Sequence, residues 1–326
     1  MTSAGIIFRS ALAVALIVTA PQVATAQTYP SRTVSVVVPF PPGGSVDGVA
    51  RILVQKLNET VGQHFIVENR AGGASGIVGA NAVSKAPSDG YTLLLSASVH
   101  VINPFLYKSV PYDVVKDFTP VMLICDGPLI VSTTPSVAAN TLKDFFDLVR
   151  KEPQKFTFGA TTIGSASHLA VELLKHEAGL DTLVVTYKGT APALTDLMSG
   201  QIQLLADPML SSLPLARGGK IKALGLTSSK RAAAAPEIPT IAESGVRGFD
   251  FVSWYGLWGP KNLPPNVLET LQTGVGKVLA QPDVKERFQQ LGFEPLGMRS
   301  EGFASYIRSE MARAEKIIAQ ANIKAE

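Results

Sequence analysis

Cysteine occurs once in the 326 residues, at Cys125, so no intrachain disulfide can form and a cysteine-built metal cluster is excluded. Histidine is almost as sparse. His64, His100, His168 and His176 never meet at His-x-x-x-His spacing, and no zinc site or other metal site is expected. Lysine and arginine form no basic run with interleaved aromatics, and the net charge is only +3, which argues against nucleic acid as a partner. The sequence has no Gly-x-Ser-x-Gly elbow, no Walker loop and no Gly-x-Gly-x-x-Gly after a strand. A hydrolytic enzyme would need a Ser, His and Asp brought together in space, and no cofactor is implied. Beyond the N-terminal stretch, no apolar run is long enough to cross a bilayer.

That stretch, "MTSAGIIFRSALAVALIVTAPQVATAQ", has a lone Arg9, a short apolar segment, Pro21 and the small-x-small signal Ala24-Thr25-Ala26. It reads as a signal peptide over residues 1–26, too soon interrupted to be a membrane anchor. Cleavage after Ala26 removes one arginine and no acid, leaving a soluble, exported protein of charge +2. With 46% hydrophobic residues, such a chain builds a core without disulfide staples. Cys125, in apolar "VMLICDGPL", is expected to act as a small buried hydrophobe.

Strand-like and helix-like patterns alternate. "TVSVVVPF" reads as a buried strand, and a helix follows whose Val49, Ile52, Leu53 and Leu57 share one face, with Ser45 as its cap and Gly62 near its end. "HFIVENR" and "PSDGYTLLLSA" carry strands, with "GIVGANAVSKA" a short helix between them. "TLKDFFDLVRKEP" is a helix capped by Thr141; "KFTFGATT", "TLVVTY" and "QIQLLAD" are strands separated by the helices "SHLAVELLKHEAG" and "APALTDLMSG". After "KIKALGLTS" come a Pro-broken loop, a glycine- and aromatic-rich segment and two C-terminal helices. Such alternation implies an α/β fold with mostly parallel sheet, whose ligands sit beyond the carboxyl ends of strands.

Two turns at such positions stand out. In "VVVPFPPGGSVDGVARIL", Pro41 and Pro42 stiffen the chain, while Gly43 and Gly44 let backbone come close to a ligand. The amides of the helix that follows have no partner in their own helix, so they form an anion site without any basic side chain. Asp47, in that first turn, can bond the loop amides. "FTFGATTIGSASHLAVELL" repeats the design, with Ser165 as cap and the hydroxyls of Thr161 and Thr162 just before Gly164. If both turns face one cleft, a carboxylate is the natural ligand. A third candidate is "TYKGTAPALTDLMSGQ", where Tyr187, Lys188 and Gly189 precede a helix beginning near Ala191 and ending at Gly200.

These pieces, with "GQHFIVENRAGG", "INPFLYKSVPYDVVKDFTPV", "EIPTIAESG" and "WYGLWGPKNLPPNVL" in the same order, resemble the periplasmic solute-binding receptors of tripartite tricarboxylate transporters, also called Bug proteins. The resemblance implies a two-domain periplasmic-binding-protein fold of type II-like form: residues 27–125 with 240–326, and residues 126–239, around a ligand cleft that closes by hinge motion. It implies a monomer in the periplasm that hands a small organic carboxylate to membrane permease subunits. Di- and tricarboxylates, acidic amino acids and aromatic carboxylates all suit the family. A sensor feeding a membrane kinase would use the same closure. The resemblance puts Phe40, Pro42, Gly43, Gly44, Ser45 and Asp47 on one side of the ligand, with Thr161, Thr162, Gly164 and Ser165 opposite. Lys188, Gly189 and Asp207 lie nearby. His100, with Ser98 beside it in "SASVHVINP", is a further pocket candidate, whereas His168 suits a partly exposed cap. Phe40, Trp254 and Tyr255 could form an apolar wall. The chain departs from the family with "AGGAS" at 71–75, where Pro-Gly-Ala-Gly-Gly is usual, and with Thr186 in place of a proline.

Overall fold

The computed structural model describes residues 29–62, 64–72, 74–321 and 323, so the leader expected at 1–26 lies outside the described residues. In chain order the strands are β1 (Val34–Val38), β2 (Phe65–Asn69), β3 (Thr92–Ala97), β4 (Phe118–Thr133), β5 (Thr157–Ala160), β6 (Leu183–Thr186), β7 (Leu204–Pro208), β8 (Lys222–Leu226), β9 (Val252–Pro260) and β10 (Glu294–Arg299). The α-helices are α1 (Ser45–Val61), α2 (Ile77–Ser84), α3 (Val99–Leu106), α4 (Leu142–Lys151), α5 (Ala166–Ala178), α6 (Thr190–Ser199), α7 (Met209–Arg217), α8 (Pro265–Ala280), α9 (Pro282–Gln290) and α10 (Ser300–Gln320).

The strands form one continuous sheet in the order β2-β1-β3-β9-β4-β7-β5-β6, with β8 and β10 also pairing with β4. Its two wings are parallel. β1 lies between β2 and β3, and β5 lies between β6 and β7. The valines of β1 are buried on both faces, as a strand covered by helices on both sides requires. The expected mostly parallel arrangement thus holds in the wings, while the centre is antiparallel, built on β4 and β9.

β4 ties the two wings together. From Phe118 to Pro128 it pairs with β9, and from Leu129 to Thr133 with β7 on one edge and β8 on the other. Register shifts between Pro120 and Met122, and between Leu123 and Cys125, bend it on the way. Gly127, just before the change of partners, has no room for a side chain: a Cβ there would stand 2.5 Å from the Gly292 carbonyl oxygen. Cys125 is fully buried beside Tyr255, in agreement with its reading as a small hydrophobe.

Core side chains cover both faces. One cluster runs from Leu94, Trp258 and Phe303 in the first half to Phe145, Phe158 and Leu169 in the second. Another packs the buried stripe Val46, Val49, Leu53 and Leu57 of α1 against β1, β3 and α8. Local signals hold at several termini. Thr141 Oγ1 accepts from the Asp144 amide at 3.1 Å, and Gly62 ends α1 in the left-handed conformation. The expected cap at Ser45 is corrected: Gly44 occupies the cap position of α1, and Ser45 is already helical. The C-terminal part holds three helices and β10 rather than two helices alone.

Gly127→Ala is expected to lower stability by about 1–3 kcal/mol in chemical denaturation, since the new methyl meets backbone that has no free space to move into. An unchanged midpoint would show that the strand crossing is looser than this packing indicates.

Candidate functional site

Five helices begin at the carboxyl ends of strands, α1 after β1, α3 after β3, α5 after β5, α6 after β6 and α7 after β7, and the two wings run from opposite directions toward the change of partners in β4, β3 ending opposite Tyr255 and β7 opposite Leu129. The first residues of α1, α3, α5 and α6, and Pro208 just ahead of α7, border a cavity of about 240 Å³. From the first half of the sheet come Phe40 to Val46, Ala97, Val99 and Ser253; from the second half Thr161, Thr162, Ser165 to Ser167, Lys188 to Pro192, and Pro208.

The turn before α1 is held from within. Asp47 Oδ2 accepts from the Gly43 amide at 3.0 Å and from Arg51 Nε at 2.8 Å, while Oδ1 accepts from Asn69 Nδ2 at 2.9 Å. Burial pushes this carboxyl up, but the bonds from Arg51, Gly43 and Asn69 outweigh it and hold the group below the usual carboxylate range. Gly43 has φ +88, which a residue with a side chain rarely adopts. The first amide–carbonyl bond of α1 runs from Gly48 to Gly44 at 2.9 Å, so the Ser45 and Val46 amides lie ahead of it at the cavity edge. Ser45 also bonds the Tyr255 hydroxyl, whose pKa is raised by burial against the bonds from Ser253 and Ser45.

Across the cavity, Ser165 Oγ accepts from the His168 amide at 3.2 Å, so this residue does cap α5. Thr161 Oγ1 and Ser165 Oγ lie 3.2 Å apart, and the Thr161 amide donates to Ser167 Oγ at 3.1 Å. The first backbone bond of α5 is from Leu169 to Ser165, leaving the Ala166 and Ser167 amides ahead of it. At α6 the chain enters through Gly189, with φ +148. Lys188 beside it is exposed, forms no ion pair among the described residues, and is the one charged side chain in the cavity wall.

The remaining candidates divide by depth. Asp207 is wholly buried behind the wall. Its Oδ1 accepts from Thr190 Oγ1 at 3.0 Å, and its Oδ2 from Ser212 Oγ at 3.0 Å and from Ser211 Oγ. Burial raises its pKa to about 6 against those three hydroxyls. It thus stands behind Thr190 and Pro208 instead of opening onto the cavity. Gly164 is likewise outside: its amide donates to His168 Nδ1 at 3.1 Å, and a side chain there would strike Leu106. His168 is buried rather than partly exposed, and burial holds its pKa down.

Ser98 and His100 do not border the cavity, which corrects their reading as pocket residues. In α3 the intervening Val99 is the residue that borders it. His100 packs instead between Tyr112, Phe118 and Trp258 at centroid distances of 4.7–5.3 Å. Burial alone lowers its pKa to about 3, so it is a neutral core ring. Tyr187 turns away and donates to Asp196 Oδ2 at 2.8 Å. Trp254 belongs to the aromatic core and donates to Glu310 at 3.0 Å, leaving Phe40 as the one ring of the expected wall that borders the cavity. Thr190, Ala191, Pro192 and Pro208 were missed, although a Gly-Thr at a helix start and a Pro after a strand mark them. Ser253 offers no local signal.

The two halves also touch beside the cavity. Ser75 Oγ donates to the Ile163 carbonyl at 2.6 Å and lies 2.9 Å from Tyr107 Oη. Asn103 Nδ2 donates to the Ser75 carbonyl at 3.1 Å. Ser75 has φ +52, a conformation costing a residue with a side chain on the order of 1 kcal/mol. On another side, a Cβ at Gly48 of α1 would stand 3.0 Å from Leu210 of α7.

Residues 49–323 match the tripartite tricarboxylate transporter family receptor. A protein of Pseudomonas sp. (strain P51), described as a UPF0065 protein in the tcbD-tcbE intergenic region, is 36% identical over 315 residues, covering 96% of this chain and 94% of that protein. Among solved structures, the periplasmic binding protein BugD superposes with a TM-score of 0.85 at 35% identity, over 91% of this chain and 100% of that one. R. palustris Rpa4515 with adipate gives 0.88 at 35% identity, over 91% and 100%. MatC (Rpa3494) from Rhodopseudomonas palustris with bound malate gives 0.82 at 32% identity, over 89% and 100%. The fold is accordingly that of the periplasmic binding proteins.

Asp207 provides a test of the buried shell. Its pKa is raised from 3.8 to about 6, so between those values the folded protein holds a proton that the unfolded chain has lost. Stability from this group is greatest at low pH and falls as pH rises through about 6, by up to ~3 kcal/mol for two pKa units. Denaturation at pH 4 to 7 should show wild type losing stability relative to Asp207→Asn over that range. Parallel curves would mean the carboxyl is ionised throughout.

Proposed function

The chain belongs to the tripartite tricarboxylate transporter receptor family, and from that premise we propose that it is an exported binding protein that captures a small organic carboxylate. The ligand is held without chemical change and passed to membrane permease subunits. The observation that carries the reading is the convergence of helix starts from both halves of the sheet on one cavity whose wall has a single charge, the cation Lys188. Helix N-termini present unpaired amides and the positive end of the helix dipole, so a carboxylate is the ligand they favour. The adipate and malate bound to the two R. palustris proteins support the same class.

In this reading one carboxylate rests on the amides of Gly44, Ser45 and Val46, with the hydroxyls of Thr161, Thr162 and Ser165 opposite. Phe40, Pro42, Val99 and Ala166 bound the carbon skeleton. Asp47 and Asp207 act indirectly by fixing the turns. Residues 27–125 with 240–326 and residues 126–239 move as two domains. This division is supported by the change of partners in β4 at Pro128 and Leu129. Closure reshapes the surface offered to the membrane partner. The family consists of solute-binding receptors, and its periplasmic location agrees with the leader at 1–26.

A thermal-shift screen of carboxylates tests the reading. A true ligand at 100 times its Kd should stabilise the fold by about 2.7 kcal/mol. Conversion of that ligand into product would point to an enzyme instead. Gly44 gives the matching variant, because a Cβ there meets nothing within 4 Å and its φ of −83 suits any residue. Gly44→Val should therefore leave the unliganded midpoint nearly unchanged while raising Kd at least tenfold, about 1.4 kcal/mol. Equal loss of stability and binding would make the turn merely structural.

A further inference from the structure

The acids around the cavity narrow the ligand class further, on the premise that the cavity takes an organic carboxylate. We infer that the cleft selects dicarboxylates lacking an α-amino group and discriminates against acidic amino acids. An α-ammonium is a compact cation with three N–H donors, and a site that welcomes it supplies acceptors, preferably a carboxylate. Two carboxylates stand close behind this wall, and neither has a free face. Asp47 spends both oxygens on Gly43, Arg51 and Asn69, and is 3% exposed. Asp207 spends both on Thr190, Ser211 and Ser212, and is 0% exposed. Each acid therefore anchors a helix start and is turned away from the ligand.

What faces the ligand is neutral or positive. No Asp or Glu contributes to the wall. The hydroxyls of Thr162, Ser167 and Ser253 donate to the Thr161 carbonyl, the Ala206 carbonyl and Tyr255 Oη, so what they can offer an ammonium is a neutral acceptor oxygen and never a counter-charge. The open amides repel an ammonium, and so does Lys188, which has no partner of its own among the described residues. The same Lys188 is the natural partner for a second carboxylate. An aminated dicarboxylate thus keeps both attractions but brings a cation into a site without a counter-charge, whereas the unaminated molecule of equal length does not.

Isothermal titration with matched pairs, succinate against L-aspartate and glutarate against L-glutamate, tests this directly. In at least one pair the unaminated acid should bind, with a Kd at least tenfold lower than its aminated partner. Equal or tighter binding of the amino acids overturns the inference while leaving carboxylate capture intact. Binding of a monocarboxylate such as benzoate with none of the four would overturn it too. Failure of every carboxylate would sink the functional reading itself. Lys188→Glu offers an acceptor where the cation stood, on an exposed side chain that forms no ion pair among the described residues. It should weaken succinate or glutarate and narrow the pair ratio at least threefold. An unchanged ratio means Lys188 does not face the ligand's amino position, and overturns the inference.

Discussion

The change of partners within β4 is the constraint from which the site follows. A strand that pairs with β9 up to Pro128 and with β7 and β8 from Leu129 must belong to both halves of the sheet. Its antiparallel direction relative to both β9 and β7 turns the carboxyl ends of the two parallel wings toward the same space. Helices that follow parallel strands begin at those ends, so their unpaired amides are gathered at one place by topology, with no special sequence needed at any single helix. Gly127 packs against Gly292 just before this change of partners, with no room for a side chain.

Gathering several positive helix ends would be costly if nothing opposed them in the unliganded protein. The chain answers with two buried acids whose environments are opposite. Asp47 has Arg51 and two amide-type donors, and is held ionised below the usual range. Asp207 has only hydroxyl donors and no cation, so burial dominates and its pKa rises to about 6. Near neutral pH both carry charge and temper the field of the helix ends, yet neither presents an oxygen to the cavity. The site thereby stays attractive to an anion while its own electrostatics remain partly compensated.

Legibility in the sequence followed the range of the interactions. Elements fixed by neighbours in sequence could be read: the valine run of β1, the Thr141 and Ser165 caps, the glycine ends of α1 and α6, and the turns at 40–47 and 161–165. Elements fixed by distant partners could not. β4 contains Pro120, Gly127 and Pro128, and β9 is rich in glycine and aromatics; both are held as strands by partners distant in sequence, each other and, besides, β7, β8 and β10 for β4 and β3 for β9. α3 carries Pro104 inside a helix, and a one-residue phase decides that Val99, not His100, borders the cavity. At α1 Gly44, not Ser45, holds the cap position with no side-chain cap bond, while Asp47 accepts from the Gly43 amide from inside the helix. Asp207 was legible as an acid at a strand end, but its three hydroxyl partners come from α6 and α7 and fix it behind the wall.

The departure from the family pattern at 71–75 acquires a physical meaning in this frame. The resemblance implies glycine at this position; this chain has Ser75 in a left-handed conformation that glycine would adopt freely. The strain is compensated by hydrogen bonds that glycine could not make, to the Ile163 carbonyl of the opposite half and to Tyr107. Ile163 lies within the turn that precedes α5, so this bond positions one wall of the cavity from the other side. Two halves that bond each other beside the cavity draw part of the free energy that holds them together from the protein's own groups. Ser75 lies outside the cavity wall, so this contact between the halves is independent of the groups that line the cavity.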